Sequence, residues 1–481
     1  MKEEYKHLFV GGDLSGIQKF LYNISSKKAA VSLKGRSFFL QQYMENVCAK
    51  IEEAAKNNGA KDTEVIYNSG GKFYLITDNS ETVRNAIDDC SNLEKEYLWK
   101  EHLGQLGINI SFVPFTEDAD GSISAGGKEG LKPGYLWKAI NADFHRQKNQ
   151  KFRHILKSNY NQFFEPIKVG GQTKVCAVTG IESPDCVKLE DMYVLPSVYQ
   201  QIKLGEELRN QQNFRTFEEY AANTKLGILR MDIDGLGKRF IEGFNSIKEY
   251  KAFSQKLVSF FEEKTQSIQG ESVFRDYLNI IYAGGDDLFV VGRWDKVIDY
   301  ADRIHKEIES EFGKDGITIS GGITIVNPKF PIAKAAEMAG EAENMAKQFR
   351  DGEKNAICFL DSTISWKEEF DKVKSYRQQF EYLIQNHGLS KGILHKFMLF
   401  ASIAEQNGVK KKEGKAEDFS YIWHISYYLT RYINRYKTNE EVCSFCRQLR
   451  DKDLDYRNGR NLKLIALAAR WAELTLRDNN N

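Results

Sequence analysis

Apolar positions recur with two different periods along the first 115 residues of the chain. Short apolar runs of strand length alternate with segments whose apolar residues are spaced close to a helical repeat. The predicted strands are residues 7–12 and 107–113, with a hairpin at 64–77 around a Gly-Gly turn, and the predicted helices are residues 36–55 and 80–103. The predicted order is therefore strand, helix, two strands, helix, strand.

The same order recurs after an offset of roughly 215–220 residues, which indicates an internal repeat. The second copy has predicted strands at 226–233 and 316–326, helices at 250–267 and 295–312, and a hairpin at 278–292. Aligning the copies by their letters matches Asp13 to Asp232, and Gly70-Gly71 to Gly284-Gly285. Each copy is predicted to be a ferredoxin-like βαββαβ unit of the kind called a palm, as in nucleotide cyclases and GGDEF proteins.

Four domains follow from this pattern. We expect a first palm at residues 1–150, a connector at 151–222, a second palm at 223–363 and a C-terminal helical bundle at 364–481, which is an α+β chain overall. Residues 117–133 are rich in Gly, Ser and Asp and are predicted to be a mobile loop.

Composition narrows the function classes. The 481 residues include 68 Lys and Arg against 67 Asp and Glu, so a globally basic coat for nucleic acid is excluded. No window approaches the roughly 18 uncharged apolar residues of a membrane span. Seven scattered cysteines do not form a disulfide framework, which predicts the reducing cytoplasm.

Carboxylates are the strongest chemical signal. In the predicted second palm, Asp232 ends the first strand, while Asp286 and Asp287 lie at the tip of the central hairpin. These strands are neighbours in a βαββαβ sheet, and three adjacent carboxylates repel one another unless cations neutralise them. Two Mg²⁺ or Mn²⁺ ions would do so and would also hold nucleotide phosphates. Gly284 and Gly285 would permit a tight turn and close approach of phosphates. A polar surface turn is the alternative for GGDD alone.

At these residues the chain resembles the large palm-domain subunit of type III CRISPR effector complexes, the synthase of cyclic oligoadenylates. The segments that carry the resemblance are GGDLSGIQKFLYNISSKKAAVSLKGRSFFL at 11–40, MDIDGLGKRF at 231–240, YAGGDDLFVVG at 282–292 and SGGITIVNPKFPIAKAAEMAGEAENMAK at 320–347. The resemblance implies that two ATP molecules bind between the palms. The 3′-hydroxyl of one attacks the α-phosphate of the other, and repeated 3′–5′ linkage and closure give a ring.

The resemblance also implies roles for single residues. Asp232, Asp286 and Asp287 would be the catalytic metal ligands, and Lys347 would meet the β- and γ-phosphates. Further nucleotide contacts are expected at Ser320, Asp234, Gly284 and Gly285 in the second palm and at Gly12, Asp13, Ser15, Gly16, Gly70 and Gly71 in the first. The first palm has Gly-Gly-Lys-Phe where the second has Gly-Gly-Asp-Asp, so it is expected to bind a nucleotide without two metals.

Two departures from the family pattern give expected absences. Many members begin with an HD nuclease domain, but this sequence has no His-Asp dipeptide, so we expect no HD nuclease activity. The connector has Cys176 and Cys186 where the family often has four cysteines, and two thiolates do not close a tetrahedral zinc site, so we expect no zinc. Implied partners are a subunit that binds the guide RNA end, a small helical subunit, and guide and target RNA held mainly through the complex, with no membrane.

Other readings stay open beside this one. A diguanylate-cyclase-like enzyme, an enzyme that conjugates AMP to a small molecule and a non-enzymatic scaffold are the alternatives. Two basic clusters, Lys27, Lys28, Lys34 and Arg36 in the first palm and 410–412 in the helical domain, would suit either RNA phosphates or solvent. The tyrosines and tryptophan at 423–436 are predicted to form a packed helix face, and Cys443 and Cys446 a pair of free helix cysteines.

Overall fold

A computed structural model of the chain describes residues 5–24, 28–158, 160–164, 173–413, 418–454 and 459–478. It divides into two compact units. The first comprises Met1–Ile319 and Val326–Gly340, and the second comprises Ser320–Ile325 and Glu341–Asn481. None of the helices in the described ranges is long and apolar enough to cross a membrane.

The first repeat folds as a sheet covered by helices. Its elements are β1 (His7–Ser15), α1 (Ile17–Tyr22), α2 (Ala29–Asn57), β2 (Thr63–Ser69), β3 (Lys72–Asp78), α3 (Glu81–His102), β4 (Gly107–Glu117), β5 (Ile123–Ala125), β6 (Lys128–Leu131), α4 (Gly134–Lys148), α5 (Arg153–Ser158) and α6 (Tyr160–Phe164). The strand order is β2-β3-β1-β4-β5-β6, so the predicted βαββαβ order is confirmed with two added strands.

Helices α2 and α3 bury the apolar face that their periodicity predicts. Leu40, Met44, Val47 and Ile51 of α2 are at most 5% exposed and pack in the core with β1 and β3. Burial of such side chains contributes about 1.5–3 kcal/mol each. The Ser80 side chain accepts from the Val83 amide and fixes the start of α3.

The prediction of a loop at 117–133 is wrong for residues 123–131. Residues Ile123–Ala125 and Lys128–Leu131 form the β5–β6 hairpin, and β5 pairs with β4. Ile123 and Ala125 are fully buried, so two apolar positions in a glycine-rich segment are enough to extend the sheet.

The connector is small and is packed onto α2. Its elements are β7 (Lys174–Val175), β8 (Glu182–Ser183), β9 (Val187–Leu189), β10 (Met192–Val194), α7 (Pro196–Gln212) and α8 (Phe217–Ala221). Helices α2 and α7 cross at two glycines: a Cβ at Gly35 would lie 1.9 Å from the Gln201 carbonyl oxygen, and a Cβ at Gly205 would lie 2.1 Å from that of Val31. This close approach requires glycine at both positions.

The interpretation of the first basic cluster as facing RNA or solvent is wrong for Arg36, and Lys28 is paired with carboxylates of the connector. Arg36 is 1% exposed and donates to the Gln201 side chain and to the Phe20 and Asn23 carbonyl oxygens. Lys28 lies 2.7 Å from both Glu190 and Glu206. Lys27 lies outside the described residues. The buried Arg36 and the half-buried Lys28 hold the connector to the first palm, and a guanidinium is retained inside only with partners.

The second repeat begins in the first unit. Its elements there are β11 (Leu226–Ile233), α9 (Leu236–Glu242), α10 (Ile247–Ser259), a π-helical turn (Phe260–Lys264), α11 (Thr265–Gln269), β12 (Leu278–Gly284), β13 (Asp287–Arg293) and α12 (Trp294–Phe312). Strand β13 pairs antiparallel with both β11 and β12. This repeats the arrangement of β1, β2 and β3.

The second unit contains the remaining strands and the helical domain. β14 (Ile319–Val326) and α13 (Ile332–Lys347) each have residues in both units. They are followed by α14 (Phe349–Gly352), β15 (Ala356–Phe359), β16 (Ser362–Ser365), a π-helical turn (Trp366–Phe370), α15 (Asp371–Asn386), α16 (Gly392–Lys412), α17 (Ser420–Arg435), α18 (Glu440–Gln448), a π-helical turn (Leu449–Asp453) and α19 (Arg460–Asp478). The predicted C-terminal helices are confirmed, and the four domain boundaries stay a prediction.

The aromatic row on α17 is only partly packed. Tyr421, Ile425 and Leu429 are its buried residues, whereas Trp423 is 79% and Tyr427 57% exposed. The prediction of a packed face is therefore wrong for Trp423 and Tyr427, which lie two positions away from the buried stripe.

Candidate active site

Three carboxylates meet where β11 and β13 lie side by side. Asp232 of β11 is paired directly with Asp287, the first residue of β13, and Asp286 precedes it in the hairpin turn. One carboxylate oxygen from each lies within 4.8 Å of the others, and all three residues are half-buried. The predicted meeting of these acids is confirmed. Oxygen donors at this spacing suit a hard divalent cation.

The two-residue turn that carries Asp286 needs a glycine at its first position. Strands β12 and β13 are joined by the two residues Gly285 and Asp286, and Gly285 has φ +71°, in the left-handed region. Such two-residue hairpins match the twist of the flanking strands when a left-handed residue is present. The backbone of the turn is fixed a second time, because the Ile233 amide donates to the Asp286 carbonyl oxygen at 3.1 Å.

The corresponding hairpin of the first palm has the same geometry. Gly70 and Gly71 form its two-residue turn between Ser69 and Lys72, with φ +62° and +78°. Both hairpins also carry an irregularity at the same place, between Val65 and Tyr67 in β2 and between Ile280 and Tyr282 in β12.

This register corrects the alignment of the two hairpins by one residue. Ser69 corresponds to Gly284 and Lys72 to Asp287, since each of these pairs closes its turn. Lys72 faces Asp13 across the sheet exactly where Asp287 faces Asp232. Matching the Gly-Gly letters was wrong because hydrogen-bond register, and not residue identity, decides which positions correspond.

The first palm keeps one of the three acids, pairs it with a lysine, and has glycine and lysine at the other two positions. Asp13, the counterpart of Asp232, is 3% exposed, and its carboxylate lies 2.8 Å from the ammonium of Lys148 at the end of α4. Lys72 occupies the position of Asp287, and Gly71 that of Asp286. One carboxylate is thus neutralised by the protein itself, as a buried charge requires.

The other first-palm candidates have roles inside the fold. The Ser15 hydroxyl donates to the Gly107 carbonyl oxygen at 2.9 Å. A Cβ at Gly12 would lie 2.1 Å from the Phe73 ring, and one at Gly16, where φ is +90°, would lie 2.3 Å from the Gln105 carbonyl oxygen. These contacts explain the residue types at the β1–α1 junction by packing, and nucleotide binding there stays a prediction.

Asp234 lies in the equivalent junction after β11. It is 8% exposed, its carboxylate accepts from the Thr318 hydroxyl at 2.8 Å, and its amide donates to the Thr318 carbonyl oxygen at 2.8 Å. Asp234 therefore ties the end of β11 to the residue before β14, as Ser15 ties β1 to β4. It is not a member of the carboxylate cluster.

The tips of the two hairpins touch one another. The Gly285 amide donates to the Ser69 hydroxyl oxygen at 2.9 Å, and the Ser69 hydroxyl donates to the Glu262 carboxylate at 2.7 Å. A Cβ at Gly70 would lie only 2.7 Å from the Gly285 Cα. In the described part of the chain, Gly284 and Gly285 therefore approach the hairpin of the first palm.

A second contact holds the base of the β12–β13 hairpin. Lys34 of α2 donates to the Ile280 carbonyl oxygen at 2.7 Å, beside the irregularity in β12. Burial lowers the pKa of the Lys34 ammonium to about 8. Lys34 is consequently a contact between the repeats, and the surface reading of this lysine is wrong.

Two tyrosines, the buried Tyr67 and the half-buried Tyr282, lie close to the acids. Burial, and then the charges of Asp286 and Asp287, raise the pKa of Tyr67 well above its usual value. Burial followed by the same two acids also raises the pKa of Tyr282, whose hydroxyl donates to the Gly284 carbonyl oxygen at 3.0 Å. Both phenols stay neutral, so they add no negative charge to the cluster.

Ser320 and Lys347 belong to the second unit. Ser320 is fully buried in β14, and Lys347 ends α13 with its ammonium 2.8 Å from Glu343. Their predicted roles toward a nucleotide stay predictions.

The cysteines have ordinary surroundings. Cys176 is 1% exposed, and although burial raises the pKa of its thiol, hydrogen bonds from Thr179 outweigh burial and lower it. Cys186 donates to the Lys174 carbonyl oxygen. Cys443 and Cys446 are buried free thiols on α18, as predicted, and burial raises the pKa of Cys446 to about 12. The prediction that no zinc binds in the connector stays a prediction.

Two family models match the repeats just described. Residues 6–168 match "Csm1 subunit domain B", and residues 225–358 match "Cas10/Cmr2, second palm domain". The chain is a homologue of the Cas10/Csm1 proteins. Among curated relatives, Cas10/Csm1 of Mycobacterium tuberculosis is 25% identical over 82% of this chain and 59% of its own length, and that of Enterococcus italicus is 28% identical over 82% and 60%. The chain thus spans about 60% of their length. Both relatives are named single-strand-specific deoxyribonucleases of subtype III-A.

Solved structures with the same fold include Csm1–Csm4 cassettes. A cassette in complex with pppApA has a TM-score of 0.67 at 18% identity, covering 97% of this chain and 70% of that one. A cassette in complex with cA4 has a TM-score of 0.65 with the same identity and coverage. The α+β fold with two palms, predicted from the repeat, is confirmed.

Sequence reasoning missed the residues that position this site. Ser69, Glu262 and Lys34 join the two repeats, and Lys148 neutralises Asp13. Each partner pair is separated by 135 to 246 positions in sequence, and no motif surrounds it. These contacts join segments that are distant in sequence, and they become visible only in the folded structure.

Proposed function

We propose that this chain makes oligoadenylates from ATP as the large subunit of a type III CRISPR effector, in antiviral defence, with Asp232, Asp286 and Asp287 at the catalytic centre. The observation that carries it is the meeting of these three carboxylates within 4.8 Å at the β11–β13 end of the second palm. The relation to Cas10/Csm1 supports the substrate, because relatives of this fold are known in complex with ATP, pppApA and cA4.

In the reaction, the 3′-hydroxyl of one ATP attacks the α-phosphate of another. A 3′–5′ phosphodiester bond forms, the bond to the β-phosphate breaks, and pyrophosphate leaves. Repetition followed by intramolecular closure gives a ring. A reaction of this kind needs positioning and charge stabilisation from the protein more than covalent chemistry.

The three acids fit Mg²⁺ or Mn²⁺, because the donor set consists of oxygens alone. Such ions, when bound, neutralise phosphate charge and lower the pKa of an attacking hydroxyl. Asp232, Asp286 and Asp287 would hold them. The protein also keeps the Asp286 turn in one conformation, through the backbone bond to Ile233 and the left-handed Gly285.

The first palm would bind the second nucleotide without metals of its own. Lys148 already neutralises Asp13, and the position equivalent to Asp287 holds Lys72. An exposed lysine at this place suits a phosphate better than a divalent cation. This asymmetry favours one catalytic palm and one that positions its substrate.

Partners and location follow from the same relation. The Csm1–Csm4 cassettes and a Csm1–Csm4 subcomplex of the type III-A interference complex support assembly of this chain with other type III subunits and, through them, with guide and target RNA. The cytoplasm is the expected compartment. The lack of HD nuclease activity stays a prediction.

The decisive experiment compares the wild-type chain with Asp286→Ala combined with Asp287→Ala, each assembled with its complex and given ATP, Mg²⁺ and cognate RNA. We expect 3′–5′-linked oligoadenylates by mass spectrometry from the wild type and at least a 1,000-fold loss from the variant, since two of three metal ligands are gone. Wild-type assembly of the variant would exclude a folding defect.

Other outcomes would identify the alternatives. Products made from GTP would indicate a diguanylate-cyclase-like enzyme, and AMP joined to another molecule would indicate a conjugating enzyme. A wild-type complex that forms no nucleotide product with either Mg²⁺ or Mn²⁺ would refute the enzymatic function and leave the scaffold.

A further inference from the structure

Ser69 lies at the point where the first palm touches the catalytic turn. It is the last residue of β2, is 8% exposed and has two hydrogen-bond partners from the second palm. Its oxygen accepts from the Gly285 amide at 2.9 Å, and its single proton goes to the Glu262 carboxylate at 2.7 Å. The hydroxyl therefore has a fixed direction, with Glu262 at one end and the catalytic turn at the other.

Glu262 occupies an unusual place in its helix. The continuous helical stretch from Ile247 to Gln269 changes from α to π geometry at Phe260–Lys264, and Glu262 lies at the centre of that turn. Phe260 and Phe261 in this turn are almost fully buried. π-helical turns inside α-helices are costly and occur often at functional sites. Here the wider turn brings a half-buried carboxylate to the Ser69 hydroxyl.

The two contacts restrain the turn that carries Asp286. On one side the Asp286 carbonyl oxygen accepts from the Ile233 amide of the same sheet, and on the other side the Gly285 amide donates to Ser69. Glycine at 285 leaves this turn intrinsically permissive. Without Ser69, the Gly285 amide would lose its bond to the first palm, and the contacts from the second palm, the Ile233 amide on Asp286 and the Tyr282 hydroxyl on Gly284, would remain.

We propose that Ser69 and Glu262 are positioning residues, through which the first palm fixes the geometry of the catalytic hairpin in the second. Glu262 orients the Ser69 hydroxyl, and Ser69 holds the Gly285 amide, so Asp286 and Asp287 are kept at the separation that catalysis requires. This role rests on the proposed function, and it gives the first palm a task that is separate from binding a nucleotide.

The test uses the full chain in its complex, with Ser69→Ala, Glu262→Ala and Glu262→Gln. Ser111→Ala is the matched control, since the Ser111 hydroxyl also donates to a carboxylate, that of Asp143, at 2.7 Å in the same palm. Steady-state rates with ATP and Mg²⁺ give kcat and KM. Hydrogen–deuterium exchange of the peptide that contains Gly285 reports the turn directly, and the thermal midpoint reports overall stability.

We expect Ser69→Ala and Glu262→Ala to lower kcat about 10- to 100-fold with KM for ATP changed by less than about threefold, because a displacement on the order of 1 Å at a reacting centre costs about 100-fold in rate. Glu262→Gln keeps a hydrogen-bond acceptor for Ser69 and should restore most of kcat. The double variant should be no worse than either single one, since both remove the same restraint. Ser111→Ala should leave kcat unchanged.

Two results would overturn these roles. The first is a Ser69→Ala enzyme with wild-type kcat, and the second is a Glu262→Gln enzyme as impaired as Glu262→Ala. The exchange measurement separates this inference from the proposed function. If the wild-type complex made no nucleotide, faster exchange at Gly285 in Ser69→Ala and Glu262→Ala, but not in Glu262→Gln or Ser111→Ala, would still support the positioning contact, and unchanged exchange would refute it.

Discussion

Gly70 is the residue at which the contact between the two hairpins can be strained most directly. Its φ of +62° lies in the left-handed region, and a Cβ built on it would lie 2.7 Å from the Gly285 Cα and 3.0 Å from the Gly285 amide nitrogen and the Gly284 carbonyl oxygen. These are backbone atoms, so no side-chain rotation relieves the overlap. Gly70→Ala is therefore expected to push the catalytic turn away from the first palm.

The expected cost of Gly70→Ala has two contributions, one from the backbone conformation and one from the contact with the second hairpin. An L-residue in the left-handed region costs roughly 1–2 kcal/mol. The contact at 2.7 Å is shorter than the 3.4 Å at which ordinary van der Waals contact begins, so the turn must move by about 0.7 Å. Overpacking of this kind costs about 1–3 kcal/mol in addition. Since a shift on the order of 1 Å costs about 100-fold in rate, we expect kcat to fall between about 10- and 100-fold.

The control variant Gly130→Ala separates the cost of the left-handed backbone from the effect of the hairpin contact. Gly130 has φ +65°, almost equal to that of Gly70, but a Cβ there would meet nothing within 4 Å. Urea unfolding and nucleotide synthesis at saturating ATP and Mg²⁺ would be measured for both variants. Gly130→Ala should lose about 1–2 kcal/mol of unfolding free energy and no activity. Equal rates for the two variants would refute the claim that the hairpin contact sets the catalytic geometry.

Two further predictions concern stability and substrate binding. Burial, and then the charge of Arg36, lower the pKa of His102 to about 4, whereas the value in an unfolded chain is about 6.5. Between these two pH values the unfolded chain binds more protons than the folded chain. The unfolding free energy should therefore fall as the pH drops from about 6.5 to about 4. The slope contributed by His102 is up to about 1.4 kcal/mol per pH unit, and urea unfolding of His102→Phe should lack it; an unchanged slope would contradict the assignment. Lys347→Ala should raise KM for ATP about 10-fold at unchanged kcat, because it would remove a phosphate contact made equally in the ground and transition states. Lys334→Ala on the same helix is the control and should leave KM unchanged. Equal KM values for the two variants would remove Lys347 from the nucleotide site.

The features that were predicted correctly from the sequence are those that depend on the local pattern of residues. Strand β11 and the turn of each hairpin follow from apolar runs broken by glycines, and the repeat itself predicted that Asp232 meets Asp286 and Asp287. These features depend on the period of apolar residues and on topology, both of which can be inferred from a single sequence.

What it could not predict depends on register and on contacts between distant segments. The one-residue error between the hairpins arose because both contain Gly-Gly, while the pairing of Ser69 with Lys72 and of Gly284 with Asp287 is visible only from hydrogen bonds. Arg36 was read as a surface cation because a buried guanidinium is uncommon, and its partner Gln201 lies 165 residues away.

The corrected register explains why the two palms cannot exchange roles by a single substitution. Lys72→Asp would place a carboxylate at the position equivalent to Asp287, but Asp13 would stay 2.8 Å from Lys148, and Gly71 would still stand where the second palm has Asp286. A cation site requires several oxygen ligands without a competing ammonium among them. The first palm therefore differs from the second at three places: the neutralised Asp13, Gly71 and Lys72. The first palm has positive charge beside Asp13, from Lys148 and Lys72, at the place where the second palm has three acids.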